Sequence, residues 1–334
     1  MNDRILLGHG GGGRLTQQLI QEEILSRFGA GPLQTLPDAA SLILKDGRIR
    51  FSTDSFVVHP LEFPGGNIGD LAVHGTVNDL AVSGSHPRWL SLGMILEEGL
   101  PLATLRRVLD AIQRAAHACG VIIATGDTKV VRRGQCDGLY LNTAGIGEAI
   151  PELSLGLDRI NVGDRILVSG TLGDHGMAVL SVREGLRIQN GPVSDTRSVQ
   201  RLVTAIAPLA DAIRFMRDPT RGGLATTLND MVLGQPFGMF IREKSLPLAP
   251  ESIALAEMLG LDLLHVASEG CLALACAREV ADSVLATWRS LPEGAGAREI
   301  GWVTDQAGRV ILETAIGGQR IIDVPSGELL PRIC

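Results

Sequence analysis

Several carboxylates stand where a solvated surface role fits poorly. Asp54 lies in Phe51-Ser52-Thr53-Asp54-Ser55-Phe56, and Asp79 follows Asn78 in an otherwise apolar stretch. Asp127 follows a short strand pattern at 121–124, two residues before Lys129. A buried carboxylate must be paired or bind a metal. Converging hard oxygens are what Mg2+ beside nucleotide phosphates takes. For each aspartate alone, a local cap or salt bridge is the alternative. Glu269 sits in Ala267-Ser268-Glu269-Gly270, ahead of the very apolar 271–275. That edge suits a base with a raised pKa, or a structural ion pair. Lys129 suits a phosphate contact or a burial-lowered pKa, with a surface lysine as the alternative. Asp218-Pro219-Thr220-Arg221-Gly222-Gly223 precedes a helix pattern. Its N–H groups and Arg221 could hold an anion, unless it is an ordinary Asp-Pro turn and cap. The run Gly8-His9-Gly10-Gly11-Gly12-Gly13 lacks the preceding strand and later acid of a dinucleotide site, and Arg14-Leu15 stand where a P-loop needs Lys-Ser/Thr. It still offers successive backbone N–H groups to phosphates, or is a linker. Cys334 ends a tail in which Pro325, Gly327 and Pro331 oppose a helix. Extended, ten such residues reach roughly 30 Å. The thiol is either a nucleophile carried on that tail or part of a frayed terminus.

The elements that must position these groups follow from pattern. The 334 residues suffice for two domains, and 45% hydrophobic content with 41 glycines indicates a compact α/β protein. A net charge of −7 and 3% aromatics argue against nucleic-acid binding. Five cysteines without a CxxC pair suggest neither a disulfide framework nor a zinc ribbon, and Cys119, Cys271 and Cys276 read as packed hydrophobes. No 18-residue apolar run and no signal-peptide pattern occur, so a cytoplasmic protein without a membrane span is expected. Residues 41–58 read as a hairpin turning at Asp46-Gly47. Asn67 caps a helix running to residue 83, with Asp70 in its first turn. Leu105, Val108, Leu109, Ile112, Ala115, Ala116 and Cys119 mark one helical face ended by Gly120. Strands are expected at 88–97, 121–124, 139–146, 165–169 and 271–276, helices at 176–184 and 224–233, and a hairpin at 308–324 turning at Gly317-Gly318. Gly75–Leu80 and Thr226–Met231 echo each other, each placing Asn-Asp in an apolar helix.

Together these segments resemble the HypE family of hydrogenase maturation proteins. That family lies within the ATP-binding superfamily that includes aminoimidazole ribonucleotide synthetase, selenophosphate synthetase and thiamine-monophosphate kinase. The resemblance spans the chain and rests on the glycine run 8–14, on 52–58, 63–69, 75–81, 126–131, 217–223 and 267–270, and on the terminal Pro331-Arg332-Ile333-Cys334. The body motifs match the superfamily, and the terminal motif matches the HypE family. One departure is His74, where many relatives carry cysteine; the position reads as structural. The resemblance implies a two-domain PurM-like α/β (α+β) architecture, mixed sheets packed with helices: 1–150 for ATP binding and dimerisation, 151–324 as a second α/β domain, and 325–334 as a mobile tail. It implies a homodimer, ATP and Mg2+, with Asp54, Asp79 and Asp127 on the metal. Gly10, Gly11, Gly12, Asn78, Asp218, Thr220, Arg221, Gly222 and Gly223 would line the nucleotide. It implies an ATP-dependent carbamoyl dehydratase: an S-carbamoyl group on Cys334 becomes a thiocyanate, supplying cyanide for the [NiFe]-hydrogenase iron, with Lys129 and Glu269 relaying protons. The implied donor is a HypF-type carbamoyltransferase and the acceptor a HypC–HypD complex. A small-molecule cyclo-ligase or kinase of the same superfamily, or a non-catalytic nucleotide-binding scaffold, would not need the thiol.

Overall fold

The computed structural model describes residues 3–10, 14–28, 42, 44, 47–186, 188–324 and 333. Gly11, Gly12, Cys334 and most of the expected 325–334 tail lie outside the described residues, as do positions 41, 43, 45 and 46 of the expected hairpin.

The first half carries helices α1 (Arg14–Leu19), α2 (Ser26–Phe28), α3 (Ile68–Val82) and α4 (Leu102–Cys119). Its strands are β1 (Ile49–Phe56), β2 (Glu62–Phe63), β3 (Gly66–Asn67), β4 (Ser85–Glu97), β5 (Ile122–Val131) and β6 (Leu139–Ala149). A four-stranded sheet runs β1-β6-β4-β5. Its one parallel pair, β4 with β5, is joined through α4, because parallel neighbours need a long crossover. The predicted apolar face of α4 is buried, and Gly120 ends the helix at φ 67°. Asn67 caps α3 as expected: its side chain accepts from the Gly69 N–H at 2.7 Å, and Asp70 accepts from the Asn67 N–H at 3.0 Å.

The second half carries α5 (Asp174–Arg183), α6 (Gln200–Ile206), α7 (Gly223–Val232), α8 (Pro250–Leu259) and α9 (Ala281–Arg289). Its strands are β7 (Arg165–Val168), β8 (Ile213–Arg217), β9 (Gly238–Arg242), β10 (Ala273–Cys276), β11 (Arg298–Thr304), β12 (Val310–Glu313) and β13 (Gln319–Ile321). They form a seven-stranded sheet in the order β13-β12-β9-β11-β7-β10-β8. β12 and β13 pair as the predicted hairpin, and every residue of β10 is buried.

Helix α3 explains why its sequence is apolar on nearly every side. It packs on β1 and β6 with one side and reaches α6 of the second half with another. Its last turn, Ala81 and Val82, belongs to the core around Trp288. In the other direction, Val179 of α5, Ala267 and Ile333 join the first half's core beside Phe63. Each half therefore contributes apolar residues to the other's core along a seam, with α3 at it.

One expectation is revised. Asp127 and Lys129 do not follow a strand ending at residue 124; they lie inside β5. The parallel register Gly93↔Asp127 and Ile95↔Lys129 extends the strand through Gly126, where a Cβ would sit 2.5 Å from the Leu92 carbonyl oxygen. Tertiary pairing, which a local apolar run cannot reveal, sets this strand's length.

Candidate functional site

The site forms where β1, α3, the loop entering α7 and the loop entering β10 meet. Asp54 lies near the end of β1, opposite Thr143 of β6. Gly75 of α3 lets the strand come close: a Cβ there would lie 2.9 Å from the Phe56 ring and 3.5 Å from Asp54 Oδ2. One turn later Asp79 accepts from the Ser52 hydroxyl at 2.7 Å. Asp218 and Glu269 are both buried. Glu269 is 3% exposed, and its Oε1 has no hydrogen-bond partner.

These four carboxylates sense each other. Burial raises the Asp54 carboxyl and the nearby Asp79 adds to it, against the Ser55 N–H and Arg221. Asp79 is raised by burial, with Ser52, Arg217 and Arg221 opposing. Asp218 is pushed up to about 7, by burial first and by Asp79 and Asp54 after it. Glu269 is raised well above the ordinary carboxylate range, by burial and then by Asp218, Asp195, Asp54 and Asp79. Negative charge concentrated in a poorly solvated place is ready for a cation.

Sign and window follow from linkage. A carboxyl whose folded pKa is raised holds its proton longer folded than unfolded. Its stabilisation is present near pH 4, the unfolded value, and is lost as pH rises toward about 7 for Asp218. The melting temperature of nucleotide-free, chelator-treated protein is therefore expected to fall over that interval. In Asp218→Asn the fall should be shallower; an equal slope in both proteins would remove Asp218 from the cluster.

Asp127 and Lys129 stand apart from these four. Both side chains are about two-thirds exposed, at 69% and 66%, and pair with each other at 3.0 Å. Lys129 is thus exposed, against the reading that buries it. Asn78 is buried and fully employed within the protein. Its amide nitrogen donates to the carbonyls of Arg197 at 3.0 Å and Glu269 at 3.1 Å, and its oxygen accepts from the Val199 N–H at 2.8 Å. Thr220, Arg221 and Gly222 form the entry to α7, with Gly222 at φ 75° before its first residue. A Cβ at Gly223 would meet the Leu264 and Val266 carbonyls at 2.6 Å, so this loop packs directly on the 264–266 backbone. Gly10 closes a short 3-10 turn, Leu7–Gly10.

Two positions that hold the site's backbone escape sequence reading. Asp195 is buried, and its carboxylate oxygens accept from the N–H groups of Glu269 at 3.0 Å and Gly270 at 2.9 Å. A Cβ at Gly270 would lie 1.8 Å from the Asp195 carbonyl oxygen, so only glycine fits there. His175 is fully buried, and its Nε2 lies 2.9 Å from the carbonyl oxygen of Ile333. Asp195 sits in a loop without periodicity, and His175 is a lone polar residue in an apolar helix; neither pattern carries a signal.

A cleft of about 400 Å³ opens beside Asp79 and Asp218, with Arg50 and Arg217 at its rim and Val82, Leu155 and Phe215 along its wall. Arg50 Nε is buried without a partner. Unpaired guanidinium nitrogen, clustered carboxylates and an apolar wall form the donor set for a nucleotide and a divalent ion. Among the described residues no three His, Cys, Asp or Glu side chains close on a metal by themselves. Mg2+ ordinarily takes one or two carboxylates and completes its shell with phosphate and water, so the residues fit an ion that arrives with its nucleotide.

Residues 37–149 match the model of the AIR synthase related protein N-terminal domain, and residues 161–313 that of its C-terminal domain. The two matched regions together make this an AIR synthase related protein. Carbamoyl dehydratase HypE of Rhodobacter capsulatus is 46% identical over 337 residues, covering 100% of this chain and 99% of that protein. A crystal structure of hydrogenase maturation protein HypE in complex with ATP superposes with TM-score 0.94 at 44% identity, covering 98% of this chain and 99% of that one. A crystal structure of a HypE–HypF complex superposes with TM-score 0.81 at 39% identity, covering 92% and 99%. The chain belongs to the HypE family of carbamoyl dehydratases.

Proposed function

We propose that this protein uses ATP to dehydrate an S-carbamoyl group on Cys334 to a thiocyanate, the cyanide source for a [NiFe]-hydrogenase iron centre. One observation carries the reading. Ile333, the residue bonded to Cys334, is buried in the seam with its carbonyl held by His175. From His175 the path to the acid cluster is short: the Gly176 N–H donates to the Ala267 carbonyl at 3.1 Å, and Glu269 lies two residues further on. A tail docked there brings its own substrate as an intramolecular reactant.

The chemistry balances. The carbamoyl oxygen takes the γ-phosphoryl group of ATP, releasing ADP, and the carbon–oxygen bond then breaks to release phosphate. The nitrogen gives up two protons as the carbon–nitrogen triple bond forms. A Mg2+ bound with the nucleotide would neutralise developing phosphate charge. One or two of Asp54, Asp79 and Asp218 would hold it, phosphate and water completing its shell, with Asp127 joining if its pairing to Lys129 opens. Arg50, Arg217 and Arg221 would supply the positive charge that phosphates need, Arg217 being also paired to Asp230 at 3.1 Å. Glu269 takes a proton from the nitrogen, its raised pKa making it a stronger base once ionised, and Lys129 relays the other. In this reading the glycine run that includes Gly10, Gly11 and Gly12 is assigned to the phosphates, with the N–H groups of Thr220 and Gly222; the Gly223 N–H instead donates to the Thr220 carbonyl at 2.8 Å and shapes the loop. Asn78 serves this site by fixing the Glu269 backbone.

The same reading assigns a HypF-type carbamoyltransferase as donor, a HypC–HypD complex as acceptor, a homodimer formed by the N-terminal sheets, and a cytoplasmic setting. It divides the chain into 1–150, 151–324 and the tail 325–334. Supporting this, Ile49, Phe51, Ile95 and Ile122 leave apolar surface exposed on the first sheet, and no helix among the described residues is long and apolar enough to cross a membrane. The test is intact mass after incubation with HypF, carbamoyl phosphate and ATP. One carbamoyl group should appear, followed by ATP-dependent loss of one water, both located on Cys334 by fragmentation. An adduct that never loses water, with ATP bound and hydrolysed elsewhere, would turn the reading toward a small-molecule enzyme of the superfamily.

A further inference from the structure

We propose that His175 is a positioning residue: by donating to the Ile333 carbonyl it sets where the group on Cys334 stands relative to Glu269. This rests on the dehydratase reading of the site.

The hydrogen-bond partners assign the tautomer of the neutral ring. A carbonyl only accepts, so Nε2, at 2.9 Å from Ile333 O, carries the proton. Nδ1 is then an acceptor, and the Ser194 hydroxyl donates to it at 2.8 Å. Ser194 Oγ in turn accepts from the Thr196 N–H at 3.1 Å. The chain of donors runs one way, from the 194–196 backbone through the imidazole to the tail. Burial, which lowers the ring to about 4, keeps it neutral, and the Ile333 carbonyl keeps the proton on Nε2. The edge of the contact is closed by Phe63, whose ring meets the imidazole edge-to-face at 5.2 Å.

The same short segment also holds the base. Ser194 orients His175, while its neighbour Asp195 grips the N–H groups of Glu269 and Gly270. Two consecutive residues thus fix the tail anchor and the carboxylate in one frame. Consecutive Cα atoms lie about 3.8 Å apart, so displacement of the Ile333 carbonyl passes directly to Cys334. A misplacement of about 1 Å at reacting groups can cost about 100-fold in rate.

The test exploits the reach of two amides. In His175→Gln the side-chain nitrogen can occupy the Nε2 position and keep the bond to Ile333. In His175→Asn the amide reaches only the Nδ1 position, keeping Ser194 and losing the tail. Carbamoylated protein is mixed with ATP and thiocyanate followed by mass, and in parallel unmodified protein is treated with iodoacetamide and Cys334 alkylation followed by peptide mass. We expect His175→Gln to stay within about threefold of the parent and His175→Asn to lose roughly 10–100-fold in kcat with KM for ATP unchanged. Cys334 should alkylate faster in His175→Asn alone. Should His175→Asn fail to fold, Ser194→Ala, which frees the ring to change tautomer, is expected to slow turnover and speed alkylation in the same sense. The proposal is overturned if Asn restores turnover as well as Gln does, or if alkylation is the same in all variants. If the parent forms no thiocyanate at all, the dehydratase reading fails, while the alkylation contrast still decides whether His175 anchors the tail.

Discussion

Thiocyanate formation is expected to fall by about 10²–10⁴-fold when Glu269 is replaced by glutamine, the loss typical of a missing general base. The melting temperature should rise or hold in the same variant. Both follow from one fact: Glu269 is a buried carboxyl raised by burial and by Asp218, Asp195, Asp54 and Asp79 together. Glutamine keeps the size and removes the charge that those aspartates repel, so the folded state loses a cost while the reaction loses its base. Single-turnover mass measurements and thermal melts check the two halves independently. The parent's rate should climb with pH on an acid limb lying above the ordinary carboxylate range, and the variant should lack that limb. A variant that keeps the limb, or that turns over within a few-fold of the parent, would move the base elsewhere, with Lys129 the next candidate.

The second large effect is expected at Asp195. Alanine there strands the N–H groups of Glu269 and Gly270, both buried and both bonded to its carboxylate. An orphaned buried donor costs about 1–3 kcal/mol, partly offset because burial itself raises the Asp195 carboxyl and its removal relieves that cost. A net destabilisation of about 2–4 kcal/mol is expected, read as a melting temperature lower by on the order of 5–10 °C. Turnover should fall about 100-fold at a temperature where the variant remains folded, because the Glu269 backbone loses its frame. ATP affinity should change little, since Asp195 contacts the 269–270 backbone rather than the cleft wall. A stable variant with intact turnover would mean that other contacts, such as the Asn78 bond to the Glu269 carbonyl, suffice to hold the loop.

Local chemistry carried much of this into the sequence. The Asn67–Asp70 capping box, the α4 stripe and its glycine stop, and the β12–β13 hairpin are short-range patterns, readable because each is decided within a few residues. The uniformly apolar helix around Asp79 announced burial, and the apolar run after Glu269 announced a carboxyl under strain from its surroundings. Asp218 read as part of an anion-holding loop or as a turn cap; its membership of the carboxylate cluster depends on α3 lying beside the α7 entry loop, which no local pattern encodes. Asp127 and Lys129 looked like loop residues because the register with β4 that draws them into β5 is a long-range pairing. Asp195 and His175 act through backbone atoms of distant segments, so their side-chain identity gives no hint of what they touch.

Asn78 has a consequence for how such chains can be recombined. Its single amide clasps main-chain groups at 197, 199 and 269, on the far side of the seam from the helix that bears it. Main-chain partners are present whatever the side chains are, so the clasp places no demand on the identity of those residues but a strict one on their path. Grafting the first half of this protein onto the second half of a relative should succeed where that path is retained and fail where an insertion displaces it, however similar the two sequences. Compatibility between halves is then a property of loop length rather than of percentage identity.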